Sequence, residues 1–154
     1  MKILLLNGPN LNVLGKRDSL VYGTESFEKI LDWLQPQFPD LEITYQQSNH
    51  EGQLIDWIQQ AEESGFKGLL INPGGYSHYS VAILDALLLA KLWKVEVHLS
   101  PIYARDNFRQ QSMTAAGCHG LIAGFGKESY RLGLEFLRKQ SSHKVGFRNE
   151  ADRN

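Results

Sequence analysis

Gly68-Leu69-Leu70-Ile71-Asn72-Pro73-Gly74-Gly75-Tyr76-Ser77-His78 is the stretch from which the fold can be inferred. Its first four residues suit a buried strand, and a helical pattern runs over residues 79–91. The residues between them are therefore predicted to form a strand-to-helix turn, where open α/β sheets bind ligands. Asn72, the two glycines and His78 would supply donors, close backbone approach and a titratable imidazole. A turn that needs glycine only to reverse the chain is the alternative, and this stretch alone favours neither.

The rest of the chain repeats this alternation of strand and helix. Brief apolar or alternating runs predict five strands, at residues 3–6, 41–45, 69–71, 95–99 and 120–123. Helical patterns are found at residues 26–38, 51–64, 79–91, 105–112 and 127–138. Right-handed crossovers then give a doubly wound three-layer α/β sandwich with a five-stranded parallel sheet. The second strand alternates as an edge strand does, so the expected order is 2-1-3-4-5. In the third helix we expect an inward face made of Val81, Leu84, Leu88 and Leu92.

Length and composition describe one ordinary soluble domain. The chain has 154 residues, 42% of them hydrophobic, and a formal net charge of -1. We expect a single catalytic domain over residues 1–140 and a disordered or extended tail over 141–154. The balanced charge argues against a nucleic-acid or membrane-surface partner, and no apolar run approaches the length of a membrane span.

Cysteine usage and the absence of ligand motifs bear on compartment and cofactors. The single Cys118 permits no internal disulfide, and the apolar run after Met1-Lys2 is too short for a signal sequence, so a cytoplasmic setting is expected. Cys118 is predicted to be a small core residue. Histidines and cysteines do not cluster at metal-ligand spacing, and neither a GxGxxG nor a P-loop motif is present. We therefore expect no catalytic metal.

The fourth predicted strand carries three polar residues on one face. In Val95-Glu96-Val97-His98-Leu99-Ser100, the period of two places Glu96, His98 and Ser100 together. An exposed edge strand could also show this pattern, but this strand is predicted to lie inside the sheet, where unsatisfied polar groups are costly. Glu96 can orient the imidazole and favour its protonated form, which makes His98 a candidate general acid.

The connection over residues 7–24 is long for a compact domain and is interpreted as a functional lid. It holds Asn10, Asn12, Arg17 and Tyr22, and a solvated loop with a stray aromatic residue is the alternative. An unperturbed tyrosine has a pKa of about 10, so about one molecule in a thousand carries phenolate at neutral pH. A nearby guanidinium such as that of Arg17 lowers this pKa. Arg105 and Arg109 lie four residues apart and could face the same way, but for at least one of them a solvated surface position is the simpler interpretation.

Five motifs occur in order along the chain: Asn7-Gly8-Pro9-Asn10-Leu11-Asn12, Leu14-Gly15-Lys16-Arg17 with Tyr22-Gly23, Ser48-Asn49-His50-Glu51-Gly52, Ile71-Asn72-Pro73-Gly74-Gly75-Tyr76-Ser77-His78, and Glu96-Val97-His98-Leu99-Ser100. Together they resemble the type II 3-dehydroquinate dehydratases, from about residue 2 to residue 137. The resemblance implies a flavodoxin-like fold and a dodecamer built as a tetramer of trimers. It also implies metal-free and cofactor-free dehydration of 3-dehydroquinate to 3-dehydroshikimate, in the shikimate or quinate pathway.

The resemblance also implies catalytic roles. The tyrosine matching Tyr22 is the base that removes a proton beside the ketone, and the arginine matching Arg17 favours its phenolate. Asn10 would hold a water that stabilises the resulting enolate. His98, supported by Glu96, would protonate the departing hydroxyl.

The same resemblance assigns substrate contacts. Asn72, Ser100 and the backbone around Leu99 would bind the substrate carboxylate, while His78 and Arg109 hold ring hydroxyls. Asp85 matches an aspartate that reaches a neighbouring subunit's site. Gly74 is a further candidate because glycine allows the backbone to come close to a ligand.

The chain departs from the family pattern at a few positions: Ser19, Leu84, Pro101-Ile102-Tyr103 and Gln110-Gln111. Pro101 removes a backbone donor from the crevice rim, so substrate fit or a subunit contact could differ. Two other functions compete with an active enzyme. One is a flavodoxin-like module that binds a flavin or phosphate at the same crevice. The other is a catalytically degenerate homologue that retains only the assembly.

Overall fold

The computed structural model describes residues 1–16 and 25–143. Its centre is a parallel five-stranded sheet in the order β2-β1-β3-β4-β5. The strands are β1 (Lys2–Asn7), β2 (Glu42–Gln47), β3 (Gly68–Asn72), β4 (Trp93–His98) and β5 (Gly120–Ala123). The predicted order is confirmed, with β1 buried inside the sheet and β2 at its edge. This is the doubly wound, flavodoxin-like arrangement expected from the alternating pattern.

Within the described residues, four α-helices connect and cover the strands: α1 (Phe27–Leu34), α2 (Glu51–Ala61), α3 (Val81–Leu89) and α4 (Glu128–Lys139). The short helical segment predicted over residues 105–112 is present only as a 3₁₀ turn, Asn107–Arg109, and not as an α-helix. Short 3₁₀ segments, Ile102–Ala104, Asn107–Arg109 and Thr114–Gly117, occupy that connection instead. Asp106 and Asn107 favour turns over helix interiors because their side chains compete for backbone hydrogen bonds. No helix in the described part of the chain is long and apolar enough to cross a membrane.

The sheet separates two hydrophobic cores. On one face, strand residues such as Leu5 and Leu70 pack with α1 and α4. On the other, Leu6 and Ile71 pack with α2 and α3, and Cys118 is buried in this core as predicted. Neighbouring residues of β1 and β3 therefore enter different cores, which explains their continuous apolar runs. Burial raises the pKa of the Cys118 thiol, so this residue behaves as a small apolar side chain.

The inward face of α3 differs from the prediction. Ile83, Ala86 and Leu87 are buried, whereas Val81 is 54% exposed and Leu88 is 44% exposed. Leu92 is buried as expected, and Leu84 is half-buried. The error has a physical cause: α3 is apolar on almost every side, so hydrophobic periodicity cannot select a face.

Parts of the first connection and of the tail lie outside the described residues. Arg17, Ser19 and Tyr22 belong to residues 17–24, and residues 144–154 contain most of the expected tail. The described start of the first connection, Leu11–Lys16, is a 3₁₀ segment whose Leu11 and Leu14 are buried. That end of the connection is therefore anchored in the core formed with α1 and α4.

Two strand ends approach each other closely at Gly8. Its amide donates to the carbonyl oxygen of Asn72 at 2.7 Å. A Cβ atom added to Gly8 would lie 2.4 Å from the carbonyl oxygen of Pro73, which belongs to the backbone and cannot swing away. Glycine at position 8 therefore allows the chain leaving β1 to cross the turn that follows β3.

We expect Gly8→Ala to lower the free energy of unfolding by about 1–3 kcal/mol, because the backbone must shift to relieve overpacking. Gly52→Ala is the matched control: Gly52 lies in α2 and a Cβ there would meet nothing within 4 Å. Alanine at position 52 should stabilise by roughly 0.5–1 kcal/mol. Urea unfolding of both variants measures the difference, and equal midpoints would contradict the predicted close approach.

Candidate active site

A cavity of about 250 Å³ opens at the carboxyl ends of the strands. Its walls come from the ends of β3 and β4, the start of the first connection and the segment around Arg109. The lining residues are Pro9, Asn10, Leu11, Asn72, Gly74, Gly75, His78, Tyr79, His98, Leu99, Arg105, Phe108 and Arg109. Seven of the predicted site residues are among them: Asn10, Asn72, Gly74, His78, His98, Leu99 and Arg109. The crevice predicted from the strand-to-helix turn is thus present.

Asn72 is held at the end of β3 by a buried hydrogen-bond chain. Its Nδ2 donates to the hydroxyl of Tyr130 at 2.8 Å, and its Oδ1 accepts from the amide of Gly74 at 3.1 Å. The Tyr130 hydroxyl in turn donates to Oδ1 of Asn7 at 2.8 Å. Burial raises the pKa of Tyr130, so this phenol keeps its proton and can serve as a donor. These contacts fix the orientation of the Asn72 side-chain amide, with Nδ2 toward Tyr130 and Oδ1 toward Gly74.

His98 lies at the end of β4 and is bound to a buried carboxylate. Its Nε2 is 2.7 Å from Oε1 of Glu96, which is fully buried. Because an ionised carboxylate only accepts hydrogen bonds, Nε2 carries the proton in this contact. Glu96 also accepts hydrogen bonds from Ser112 and Thr114. Glu96 itself does not line the cavity, but it orients His98, which does.

His78 faces His98 across the cavity. The ring centroids are 6.5 Å apart and the planes are inclined by 21°. Nδ1 of His78 is 2.8 Å from the carbonyl oxygen of Gln111. Because a carbonyl oxygen only accepts, Nδ1 is the protonated nitrogen and Nε2 is left to contact a ligand.

Asn10 adopts a left-handed backbone conformation, with φ of 68°. Asparagine tolerates this region better than most residues. The backbone N–H of Asn10 donates to Oδ1 of Asn49 at 3.0 Å, and the same Asn49 oxygen accepts from Nε2 of Gln47 at 3.1 Å. Asn49 therefore anchors the first connection. The next residue, His50, is the N-cap residue of α2, but its side chain makes no cap hydrogen bond.

Both arginines of the segment after β4 line the cavity, and Arg109 is also exposed to solvent, as expected for at least one of the two. Arg105 donates from Nη2 to the hydroxyl of Ser100. The guanidinium of Arg109 lies 5.0 Å from the ring centroid of Phe108. Arg105 was not among the predicted site residues, although its spacing of four from Arg109 was a usable signal. Two guanidinium groups give this side of the cavity a positive charge suited to an anionic ligand.

Two predicted substrate-binding residues do not line the cavity of this chain. Ser100 is 2% exposed, and its hydroxyl accepts a hydrogen bond from Arg105, which does line the cavity. Asp85 is exposed on α3, on the outer surface of the molecule. The structure brings the other described site residues together, and Arg17 and Tyr22 lie outside the described residues. Within residues 1–16 and 25–143, His, Cys, Asp and Glu form no group of three that could hold a metal ion.

Comparison with known proteins gives one consistent result. The model of the Dehydroquinase class II family matches residues 1–138. The 3-dehydroquinate dehydratase of Deinococcus radiodurans is 50% identical over 137 residues, which cover 88% of this chain and 96% of that relative. The enzyme of the same name from Thermotoga neapolitana is 48% identical over 146 residues, covering 92% of this chain and 97% of that relative.

Solved structures agree. The type II dehydroquinase of Butyrivibrio crossotus superimposes with a TM-score of 0.87 at 43% identity, covering 90% of this chain and 97% of that one. The type II dehydroquinase of Propionibacterium acnes gives a TM-score of 0.85 at 38% identity, covering 90% and 96%. Family model, sequence relatives and fold all point the same way, and the chain belongs to the class II dehydroquinase family.

Proposed function

We propose that this chain dehydrates 3-dehydroquinate to 3-dehydroshikimate by trans-elimination through an enolate, with Tyr22 as the base and His98 as the acid. The coarser statement follows from the family: the chain is a 3-dehydroquinate dehydratase, and so a lyase. The observation that carries the finer proposal is the position of His98, which is bound to the buried Glu96 and lines the cavity. A histidine held in this way can transfer a proton to a ligand in the cavity.

The first half of the reaction uses the lid. The phenolate of Tyr22 takes a proton from the carbon beside the ketone, and the electron pair of that C–H bond forms the enolate. Arg17 stabilises the phenolate, because a nearby positive charge favours the anionic form. Asn10, on the cavity wall at the start of the same connection, would hold the water that donates to the enolate oxygen.

The second half uses the strand ends. As the enolate collapses, a carbon–carbon double bond forms and the carbon–oxygen bond of the departing hydroxyl breaks. His98 supplies the proton that makes the leaving group water. No oxidant, reductant or cofactor is needed for this balance, because one proton is removed and one is delivered.

The proposed substrate contacts assign the carboxylate and the ring hydroxyls to different groups of residues. The carboxylate is assigned to Asn72, Ser100 and the backbone at Gly74 and Leu99, and the ring hydroxyls to His78 and Arg109. Two observations support these assignments: Asn72 lines the cavity in a fixed orientation, and Nε2 of His78 is left to contact a ligand. Substrate positioned in this way meets acid and base on opposite sides of one ring.

The outer face of α3 supports the further proposal of a dodecamer, built as a tetramer of trimers. Val81, Asp85, Leu88 and Leu89 recur at helical spacing and are all exposed, with Leu89 at 74%. A large exposed apolar face on a helix is typical of a protein interface. Asp85 lies in the middle of this face, so in an assembly it would approach a neighbouring copy, as its proposed role in a neighbour's site requires.

Tyr22→Phe should reduce kcat by at least 10²-fold, because it removes the base, while substrate binding is largely kept. The assay follows the rise in near-ultraviolet absorbance as the conjugated enone forms. Tyr103→Phe is the matched control, since Tyr103 is 70% exposed and does not line the cavity. Normal turnover by Tyr22→Phe would show that another group is the base. Purified wild-type protein with bound flavin or phosphate and no turnover would favour the binding module instead.

Leu89→Arg should break the assembly, because it places a charge within the exposed apolar face of α3. Light scattering is expected to show particles of twelve chains for the wild type and smaller particles for the variant. Leu121→Arg is the control, since Leu121 is a 40% exposed leucine on β5. Unchanged particle size for Leu89→Arg would refute the assignment of this face. Full assembly of the wild type without turnover would indicate a degenerate homologue.

A further inference from the structure

We propose that Ser112 and Thr114 are positioning residues for the reaction, because they hold the Glu96 carboxylate that presents His98 to the cavity. Neither residue lines the cavity, so neither would touch the substrate. The inference rests on the proposed function, in which His98 is the general acid, and adds two residues that act through it.

Both oxygens of Glu96 are occupied by donors. Oε1 accepts from Nε2 of His98 at 2.7 Å and from the hydroxyl of Ser112 at 2.5 Å. Oε2 accepts from the hydroxyl of Thr114 at 2.6 Å. Glu96 and Thr114 are both fully buried, so water does not compete for these bonds. A buried carboxylate needs such partners, since leaving it unsatisfied is costly.

The two hydroxyls determine the plane of the carboxylate. The terminal torsion of a glutamate side chain is broad, so a single hydrogen bond from His98 would leave the carboxylate free to rotate. Donors on two different oxygens remove this freedom. The Nε2–H of His98 then points to one fixed acceptor, Oε1 of Glu96, and this fixes the imidazole plane relative to the cavity.

The hydroxyls are themselves fixed by the backbone around them. Ser112 Oγ accepts from the amide of Ala115 at 3.1 Å and lies 3.3 Å from the hydroxyl of Thr114. The amide of Met113 donates to the carbonyl oxygen of Ser77 at 2.7 Å, which ties this segment to the turn after β3. Since Ser112 and Thr114 sit on an anchored backbone, they can act as a rigid support for Glu96.

The same short segment also orients the second histidine. The carbonyl oxygen of Gln111, next to Ser112, accepts from Nδ1 of His78. Residues 111–114 therefore support both imidazoles that face each other across the cavity. A change in this segment should disturb the reaction without removing any group that contacts the substrate.

Thr114→Val and Thr114→Ser form a matched pair that tests the proposal, because valine keeps the shape but loses the hydroxyl and serine keeps the hydroxyl. We expect Thr114→Val to lower kcat roughly tenfold, a part of the 10²–10⁴-fold that a general acid contributes. KM should stay within about twofold, since substrate contacts are unchanged. Thr114→Ser should keep kcat within about threefold of the wild type. Thr44→Val, on the edge strand β2, controls for the exchange itself.

Three outcomes would overturn the proposal, and a second variant is available if the first does not fold. Equal kcat for the valine and serine variants overturns the proposal, as does unchanged kcat for Thr114→Val with reduced stability in urea, which would indicate a purely structural role. If Thr114→Val does not fold, Ser112→Ala gives the same test at the other hydroxyl. The double variant with His98→Asn must lose the effect of Thr114→Val, since an additive effect would mean that Thr114 does not act through His98.

The single variant His98→Asn tests the general acid of the proposed function separately from the positioning role of Ser112 and Thr114. If it retains turnover, the assigned acid is wrong and the positioning role fails with it. If it lowers kcat by at least about 10²-fold while Thr114→Val does not change kcat, the proposed function stands and only the role of Thr114 and Ser112 is overturned.

Discussion

One buried hydroxyl, that of Tyr130, joins three elements at the ligand-binding edge of the sheet. It bonds to Asn7 at the end of β1 and to Asn72 at the end of β3, two residues that pair in register. Without it, two buried amide groups would each lose a partner, at a cost of about 1–3 kcal/mol for each unsatisfied group. The cavity wall at Asn72 therefore depends on α4, the last helix in the described part of the chain.

Along the strands, the apolar residues in the middle stabilise the fold, and the polar residues at the carboxyl ends form the candidate site. The middles of β1 and β3 are apolar on both faces and fill two cores. Their last residues are polar and meet at one edge because parallel strands end together. In β4 a fully buried carboxylate, that of Glu96, lies two residues before this edge. Two of its three partners, Ser112 and Thr114, come from outside the sheet, so the connection after β4 has a supporting role that its irregular backbone does not reveal.

Sequence patterns predicted the sheet and much of the cavity, because strand-end residues such as Asn72 and His98 follow continuous or alternating apolar runs. The face of α3 was mispredicted, since apolar residues surround that helix and only packing decides which are buried. Ser112 and Thr114 were missed because the connection that holds them consists of 3₁₀ segments without a hydrophobic period. Tyr130 left a usable signal: a tyrosine on the apolar face of α4 needs a hydrogen-bond partner.

The dependence of Asn72 on Tyr130 has a consequence during synthesis on the ribosome. Positions 7 and 72 are synthesised long before position 130, so their side-chain amides have no common partner until α4 has been made. Domains of this size fold as units. A chain that stops before α4 would contain nearly every residue assigned to the cavity, yet lack the hydroxyl that orders its wall. Incomplete translation products should therefore not sequester substrate from finished molecules.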